Sequence, residues 1–213
     1  MVADILSMDE RYSVHGFTDA DEGRWGTEMM GYPVHGGDDY ADAVIQSGGC
    51  DVILGIGDIG IRRELIDRFD GNGANWASAI HPGASISKHA TLGKGIVMVA
   101  GSIVDCMAEV GDHAIINTNA SVGHDCVVGR NVHVCPASSL GGASRIGDDC
   151  MLGMGCRVIP LKNIGSGSTV GAGAVVIEDV PAGELVVGVP ARVVRRVPAA
   201  AGWIPVVVEK QRI

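Results

Sequence analysis

The stretch VGDHAIINTNASVGHDCVVG, residues 110–129, carries an aliphatic side chain at every sixth position: Val110, Ile116, Val122 and Val128. The same interval continues without a break from Ile80 to Val176, which gives seventeen aliphatic positions in register, nine of them followed by Gly. Two residues before each of these positions the side chain is small in most repeats. An α-helix repeats about every 3.6 residues and a strand about every two, so neither explains this period.

Repeats of this length are typical of a triangular β-coil, in which three hexads make one turn. The aliphatic residues stack in an apolar column, the small residues let the wall turn, and we expect Gly to occupy the tight corner at little steric cost. Residues 78–180 are therefore predicted to form a hexapeptide-repeat parallel β-helix of about six coils, roughly 28 Å tall at about 4.8 Å per strand layer.

The charge of the chain bounds its partners. A formal net charge of −9 over 213 residues argues against nucleic acid or an anionic membrane surface, because both repel an acidic protein. No apolar run reaches the length of a membrane span, and MVADILSMDE at the start lacks the basic-then-apolar order of a signal peptide. The sequence thus predicts neither a nucleic-acid nor a membrane partner.

The cysteines form no C-x-x-C pair, and they are Cys50, Cys106, Cys126, Cys135, Cys150 and Cys156. Three of them, Cys126, Cys150 and Cys156, fall at the small inward position of the repeat, where a thiol substitutes for Ala or Ser. We interpret these three as structural and expect the protein to work in a reducing, bacterial-type cytoplasm.

The pattern divides the chain into three segments. Residues 1–75 are predicted to be a partial α/β nucleotide-sugar-binding domain, residues 76–194 the β-helix, and residues 195–213 a C-terminal tail. The apolar run Ile204–Val208 in the tail predicts an added strand.

Within the first segment, a buried strand from Asp51 ends in a Gly turn at Gly57-Asp58 and leads into an amphipathic helix, Ile61–Phe69. The charged residues of this helix are expected on the face opposite Ile61, Leu65 and Phe69. Doubly wound nucleotide-binding domains use such a strand–turn–helix to hold a phosphate, although many α/β domains have the same turn with nothing bound.

A β-helix is a scaffold, so function is argued from departures from the repeat. His124 and Asp125 interrupt the wall, and a carboxylate beside a His can fix its tautomer and support a general base. Neighbouring side chains on a strand point to opposite faces, so this partnership requires a bend. Gly142, 18 residues beyond His124, leaves a backbone N–H open to a carbonyl that becomes an oxyanion. A single solvent-facing His on such a scaffold is more often a surface residue without function, but the His-Asp pair stacked on Gly141-Gly142 favours a functional role.

The run NTNASVGHDCVVG at 117–129, with His133-Val134, the coil at 171–176 and VGVPA at 187–191, resembles the NeuD/PglD-type sugar O- and N-acyltransferases of the sialic acid, bacillosamine and perosamine pathways. The similarity extends from about Ala3 to Val194. Most hexapeptide acyltransferases share the last two elements, whereas an N-terminal α/β part joined to a β-helix with the His-Asp element is specific to this family. The resemblance implies a left-handed β-helix, acetyl-CoA as donor, a nucleotide-linked amino sugar as acceptor, no metal, and a homotrimer with active sites between subunits.

The resemblance also implies roles for individual residues. His124 corresponds to the catalytic base, Asp125 to its orienting carboxylate, and Gly142 to the amide that holds the thioester carbonyl. Asn117 corresponds to a residue near the acceptor amine, and His133 to one close to the acetyl-thioester. The positions along which pantetheine runs are Gly153, Met154, Gly171 and Ala172, and those on the nucleotide-sugar side are Asp19, Gly57 and Asp58.

The chain departs from these relatives at its start. They begin with a strand and a Gly-rich loop that ends in Gly-His and cradles the nucleotide, whereas Met1–Leu6 here resembles the helix after that loop. We therefore expect the small domain to lack its first strand, which leaves its sheet short with an exposed edge. Binding of the acceptor, and not of the acyl donor, is expected to be affected.

The leading hypothesis is acetyl transfer from acetyl-CoA to the 4-amino group of a UDP- or GDP-linked deoxyamino sugar. A sialic-acid-type sugar O-acetyltransferase uses the same machinery, and a non-catalytic trimeric β-helix protein is a second alternative. A zinc hydratase on the same scaffold needs a close His pair and a third His across the trimer. The spacing of His113, His124 and His133 gives no H-x4-H and disfavours that class.

Overall fold

The computed structural model describes residues 1–194 and the backbone of a strand at 206–210. The chain divides into two compact units, one formed by Met1–Ala79 with the C-terminal strand and one that begins at Ile80. The division therefore follows residue 79, where the sequence placed it after residue 75. The strand in the tail belongs to the N-terminal unit and is not part of a separate segment.

The N-terminal unit alternates helices and strands. It begins with helix α1, Val2–Ser7, strand β1, Tyr12–Thr18, and a short 3-10 turn at Glu22–Arg24. The chain continues through β2, Glu28–Met29, β3, Tyr32–Gly36, helix α2, Asp38–Ser47, strand β4, Asp51–Ile53, and helix α3, Ile59–Gly71.

The second unit is built from two-residue strands, one in each hexad. Strands β5 to β21 are Ala79–Ile80, Ser85–Ile86, Thr91–Leu92, Val97–Met98, Ile103–Val104, Glu109–Val110, Ile115–Ile116, Ser121–Val122, Val127–Val128, His133–Val134, Ser139–Leu140, Arg145–Ile146, Met151–Leu152, Arg157–Val158, Asn163–Ile164, Thr169–Val170 and Val175–Val176. The longer strands are β22, Leu185–Val187, β23, Arg192–Val194, and the C-terminal β24, Val206–Lys210. The second residue of each two-residue strand is an aliphatic position of the repeat, which confirms the prediction of the period.

Each strand of the repeat pairs in parallel with the strand one coil away. Val110 of β10 lies opposite Leu92 of β7 on one side and Val128 of β13 on the other. This pairing gives three flat walls, with the strand orders β5-β8-β11-β14-β17-β20-β22-β23, β6-β9-β12-β15-β18-β21 and β7-β10-β13-β16-β19. The fold is the predicted left-handed parallel β-helix.

The interior of the coils is a single apolar column. The aliphatic positions from Met98 to Val176 are buried and form one hydrophobic cluster. The small position is filled without exposure by Cys126, Cys150 and Cys156, which confirms the structural interpretation of these thiols. Burial raises the pKa of the Cys150 thiol to about 11, so this sulfur stays protonated and unreactive at neutral pH.

Gly is required after the aliphatic positions for a different reason from the expected one, which was the conformation of the corner. The left-handed backbone conformation falls three residues after the aliphatic position, mostly on residues other than Gly, as at His113 and Asn119. The Gly directly after the aliphatic residue instead lies against the next coil. A Cβ on Gly165 would come within 2.4 Å of the Ala182 nitrogen, so only Gly allows the coils to stack this closely.

The sheet of the N-terminal unit also differs from the expectation. Its strand order is β2-β3-β1-β24-β4, so β24 runs antiparallel between β1 and β4. The sheet therefore has five strands and is not the short sheet that the sequence predicted. The predicted added strand is present two positions later than expected, at Val206–Lys210, and Ile204 and Pro205 lie outside the described residues.

Helices α2 and α3 supply the core of this unit. Ala41 and Ile45 of α2 pack in one cluster with Leu65, Ile66 and Phe69 of α3. None of the helices in residues 1–194 is both long and apolar enough to cross a membrane.

The position of β24 generates a stability prediction. Val207→Pro removes a backbone N–H from a strand that has a neighbour on each side, so it should open the sheet and destabilise the unit by about 1–3 kcal/mol, the cost of a hydrogen bond left unmade. Hydrogen exchange of the β1 and β4 amides is expected to accelerate while the coils keep their protection. Val207→Thr, which keeps the N–H and a β-branched side chain, is the matched control. Unchanged exchange in the Pro variant would show that β24 is not a central strand.

Candidate active site

The residues that interrupt the repeat lie at its corners. We call Asn117–Asn119, with the residues stacked on it at intervals of 18, the asparagine corner. We call Gly123–Asp125, with the residues stacked on it in the same way, the histidine corner. The backbone ladder fixes this stacking, since the Ala143 N–H donates to the His124 carbonyl at 2.8 Å.

His124 and Asp125 form a hydrogen-bonded pair. The His124 Nδ1 lies 2.7 Å from the Asp125 Oδ2, and both side chains are more than half exposed. Asp125 has φ 58°, the left-handed conformation shared by the other corners, and this bend lets two consecutive side chains meet. Because a carboxylate only accepts hydrogen bonds, the imidazole proton sits on Nδ1 and the Nε2 lone pair is available to take a proton.

Gly142 lies directly against the His124 ring. A Cβ at Gly142 would be 2.5 Å from both Cε1 and Nε2 of His124, so any other residue there would displace the imidazole from this position. At the third corner, the equivalent backbone N–H groups of Lys94 and Arg130 donate to carboxylates at 2.9 and 2.8 Å. The Gly142 N–H has no acceptor among the described residues, so it can donate to a ligand next to His124.

Asn117 and His133 meet at the other corner. The Asn117 Nδ2 lies 3.0 Å from the His133 Nε2, and the Asn117 Oδ1 accepts the Thr118 N–H at 2.8 Å. His133 is half-buried on β14, between Ile115 and Met151 of the adjacent strands. The Asn117 side chain is therefore committed to His133 and to its own turn.

The structure places the predicted pantetheine residues on the asparagine corner. Gly153 and Gly171 follow Asn117 at intervals of 36 and 54 residues, and Met154 and Ala172 are their chain neighbours. Met154 is 61% exposed, so its side chain is free to contact a ligand. A Cβ on Gly153 would come within 2.6 Å of the Val170 carbonyl oxygen, so coil stacking alone already requires Gly there.

The predicted residues of the β-helix fall into two groups that one chain does not bring together. His124, Asp125 and Gly142 occupy the histidine corner, whereas Asn117 lies at the asparagine corner with His133 beside it on strand β14. One wall of the β-helix, with strand β12, separates the two corners. About five residues at about 3.3 Å each make that wall roughly 15 Å wide, which is too far for one small reacting group to touch both.

The third group lies in the N-terminal unit, at the carboxyl ends of β1 and β4. Asp19 is buried, its Oδ1 accepts the Asp21 N–H at 3.0 Å, and its Oδ2 lies 3.4 Å from the Arg24 Nε. Asp58 follows Gly57 and caps helix α3, where its Oδ1 accepts the Ile61 N–H at 2.9 Å. Both carboxylates therefore organise their own loops, whatever else they bind.

The prediction that Arg62 lies on the exposed face of helix α3 is wrong. Arg62 was expected on the charged, solvent-facing side of the helix, but it is 1% exposed and its Nη1 donates to the Ile56 carbonyl at 3.0 Å. Burial lowers the pKa of Arg62 to about 10, so it remains charged at neutral pH. It thereby fixes the loop that carries Gly57 and Asp58, and no periodicity signal distinguishes it from its exposed neighbour Arg63.

Within the part of the chain that the structure describes, no group of three or more His, Cys, Asp or Glu side chains could hold a metal ion.

The left-handed β-helix, with a His–carboxylate pair and an open amide at one corner, resembles the hexapeptide acyltransferases. Residues 1–69 match the PglD N-terminal domain. The structure is similar to a perosamine N-acetyltransferase variant from Caulobacter crescentus in complex with CoA and GDP-perosamine, with 38% identity, 84% of each chain covered and a TM-score of 0.79.

Two further solved structures are similar over most of their length. The acetyltransferase domain of PglB from Neisseria gonorrhoeae, in complex with acetyl coenzyme A, is 33% identical over 82% of this chain and 84% of that one, with a TM-score of 0.77. WeeI from Acinetobacter baumannii is 30% identical over 84% and 85%, with a TM-score of 0.73. The chain belongs to the NeuD/PglD-type family of sugar acyltransferases and is an acyltransferase.

The geometry of the histidine corner predicts the effect of removing its base. His124→Ala should lower kcat by about 10²–10⁴ with CoA affinity nearly unchanged, because general-base assistance is typically worth that much. His133→Ala should act mainly on the acetyl-CoA Michaelis constant. Steady-state kinetics and calorimetry with CoA measure these effects.

Cys106→Ser is the matched control for His124→Ala, because Cys106 is exposed at the same corner one coil earlier. It should leave kcat within a few-fold of the unmodified protein. If His124→Ala behaves like this control, His124 is not the base, and a pure kcat effect of His133→Ala would transfer that role to His133.

Proposed function

We propose that this protein transfers the acetyl group of acetyl-CoA to the 4-amino group of a nucleotide-linked deoxyamino sugar. The observation that carries the proposal is the cluster of His124, Asp125 and Gly142, which combines a proton acceptor and an amide donor within one corner. The CoA and GDP-perosamine bound to the Caulobacter relative support this choice of donor and acceptor classes.

In the proposed reaction His124 accepts the proton and the Gly142 N–H stabilises the oxyanion. The neutral amine attacks the thioester carbonyl, and the His124 Nε2 takes the proton that the attacking nitrogen loses. Asp125 stabilises the resulting imidazolium through Nδ1, while the Gly142 N–H donates to the tetrahedral oxyanion. Collapse of the intermediate breaks the carbon–sulfur bond, and the CoA thiolate leaves with the proton from His124. The products are the amide and free CoA.

We also propose that the working form is a homotrimer with active sites between subunits. The supporting observation is that Asn117 and His133 lie one wall away from His124 on the same chain. When three copies pack around a common axis, the asparagine corner of one copy can face the histidine corner of the next. Each active site would then join two half-sites.

The remaining predicted residues divide between donor and acceptor. We assign pantetheine to the asparagine corner along Gly153, Met154, Gly171 and Ala172, and the acetyl-thioester to the neighbourhood of His133. We assign the nucleotide to the N-terminal unit around Asp19 and Gly57-Asp58. A reducing compartment such as the cytoplasm fits this assignment, because the cysteines are free thiols.

A thiol-release assay over a panel of acceptors tests the reaction. The panel contains UDP- and GDP-linked 4-amino-4,6-dideoxy sugars, their hydroxyl counterparts, and a sialic acid. CoA release should depend on the amino acceptors and be lost in His124→Ala. Release with the hydroxyl acceptors alone would identify an O-acetyltransferase, and release with none would contradict the proposed function.

Mixed trimers test the shared site. His124→Ala and Asn117→Ala/His133→Ala chains are co-expressed with different tags, purified over both tags and assayed at low acetyl-CoA. Every mixed trimer contains one junction with both half-sites intact, so about one third of the unmodified activity should return. Two differently tagged His124→Ala chains serve as the control and should stay inactive. No recovery in the mixed trimers would place the whole site on one chain.

A further inference from the structure

The orientation of the Asn117 amide is fixed by groups of known polarity. Its Oδ1 accepts the Thr118 backbone N–H at 2.8 Å and lies 3.4 Å from the Thr118 Oγ1. A backbone N–H can only donate, so the amide oxygen faces Thr118. The amide NH₂ group therefore faces away from the turn, toward His133.

This orientation determines where His133 carries its proton. The Asn117 Nδ2 lies 3.0 Å from the His133 Nε2, and an amide NH₂ group only donates. Nε2 must then accept, which makes the imidazole neutral with its proton on Nδ1. Protonation of Nε2 would set two N–H groups against each other at this distance. Because His133 is half-buried, water does not fully offset that loss.

The two site histidines therefore share a tautomer but differ in chemistry. At His124 the Nδ1 proton faces the Asp125 carboxylate at 2.7 Å, which stabilises an imidazolium and leaves the Nε2 lone pair open. At His133 the Nε2 lone pair is already engaged, and the neighbouring amide NH₂ opposes an imidazolium. The Nε2 lone pair of His124 is thus open to a ligand, whereas the Nε2 lone pair of His133 is occupied by the Asn117 amide.

We propose that Asn117 is a positioning residue that keeps His133 neutral, with its Nε2 lone pair occupied and its proton on Nδ1. His133 then meets the acyl donor as a neutral group, and His124 remains the one base of the site. This role differs from contact with the acceptor amine, which was expected for Asn117. The catalytic meaning of the inference rests on the proposed function, whereas the protonation state does not.

Nitrogen NMR of histidine-labelled full-length protein without substrate tests the inference directly. His133→Gln assigns the His133 signals. At neutral pH the unmodified protein should show a protonated Nδ1 and an unprotonated Nε2 at His133. In Asn117→Asp, the new carboxylate accepts a hydrogen bond, so Nε2 should become protonated. Thr118→Val is the matched control, because it keeps the backbone N–H that orients Asn117, and it should leave the His133 signals unchanged.

Kinetics of the same variants provide a second readout. Asn117→Asp should lower kcat/KM for acetyl-CoA by about 10-fold and leave the acceptor KM unchanged. A protonated Nε2 at His133 in the unmodified protein would overturn the inference, as would an Asn117→Asp variant that raises only the acceptor KM and leaves the His133 signals unchanged. If no amino sugar is acetylated but the His133 signals behave as expected, the proposed function fails and the inference about His133 stands.

Discussion

The contact of each coil with the next is the constraint on which the structure depends. Along every wall the backbone N–H groups donate to carbonyls about one coil further on, as from Gly123 to Leu140 at 3.0 Å and from Gly141 to Val158 at 2.8 Å. The corners come so close that a Cβ on Gly141 would lie 2.5 Å from the Pro160 nitrogen. Such close packing gives each corner a fixed position relative to its neighbours, which a catalytic site on a surface turn otherwise lacks.

The candidate site uses this regularity. The left-handed residue that lets His124 meet Asp125 is present at most corners, so the pair needs no backbone conformation of its own. What is particular is the choice of side chains, with the His124–Asp125 pair on one coil and Gly142 leaving room for the imidazole on the next. The candidate site therefore differs from the other corners in its side chains and not in its backbone, as expected when one fold can carry many different sites.

The sequence could predict what repeats, because a period of six specifies each inward position directly. The two-residue strands and the buried small positions follow from that period. The His124–Asp125 pair was predicted from two adjacent residues that interrupt the repeat, and it forms because Asp125 adopts the left-handed conformation. Three features do not follow from the period. Gly follows many of the aliphatic residues because a side chain there would collide with the neighbouring coil. Arg62 is buried because it donates a hydrogen bond to the loop at Ile56. Strand β24, near the end of the chain, pairs with strands β1 and β4 near its start. Each depends on contacts between segments that the pattern treats as separate.

In the N-terminal unit, two charged side chains, Asp58 and Arg62, determine the electrostatic potential at the amino end of helix α3. The amino end of α3 attracts anions through its free N–H groups and its dipole, yet the Asp58 carboxylate already caps it at 2.9 Å. A nucleotide phosphate at the same place would have to displace that carboxylate or accept its repulsion, and the buried positive charge of Arg62, one turn into the helix, offsets part of it. A phosphate bound at this helix end would therefore depend on the balance between the negative charge of Asp58 and the positive charge of Arg62.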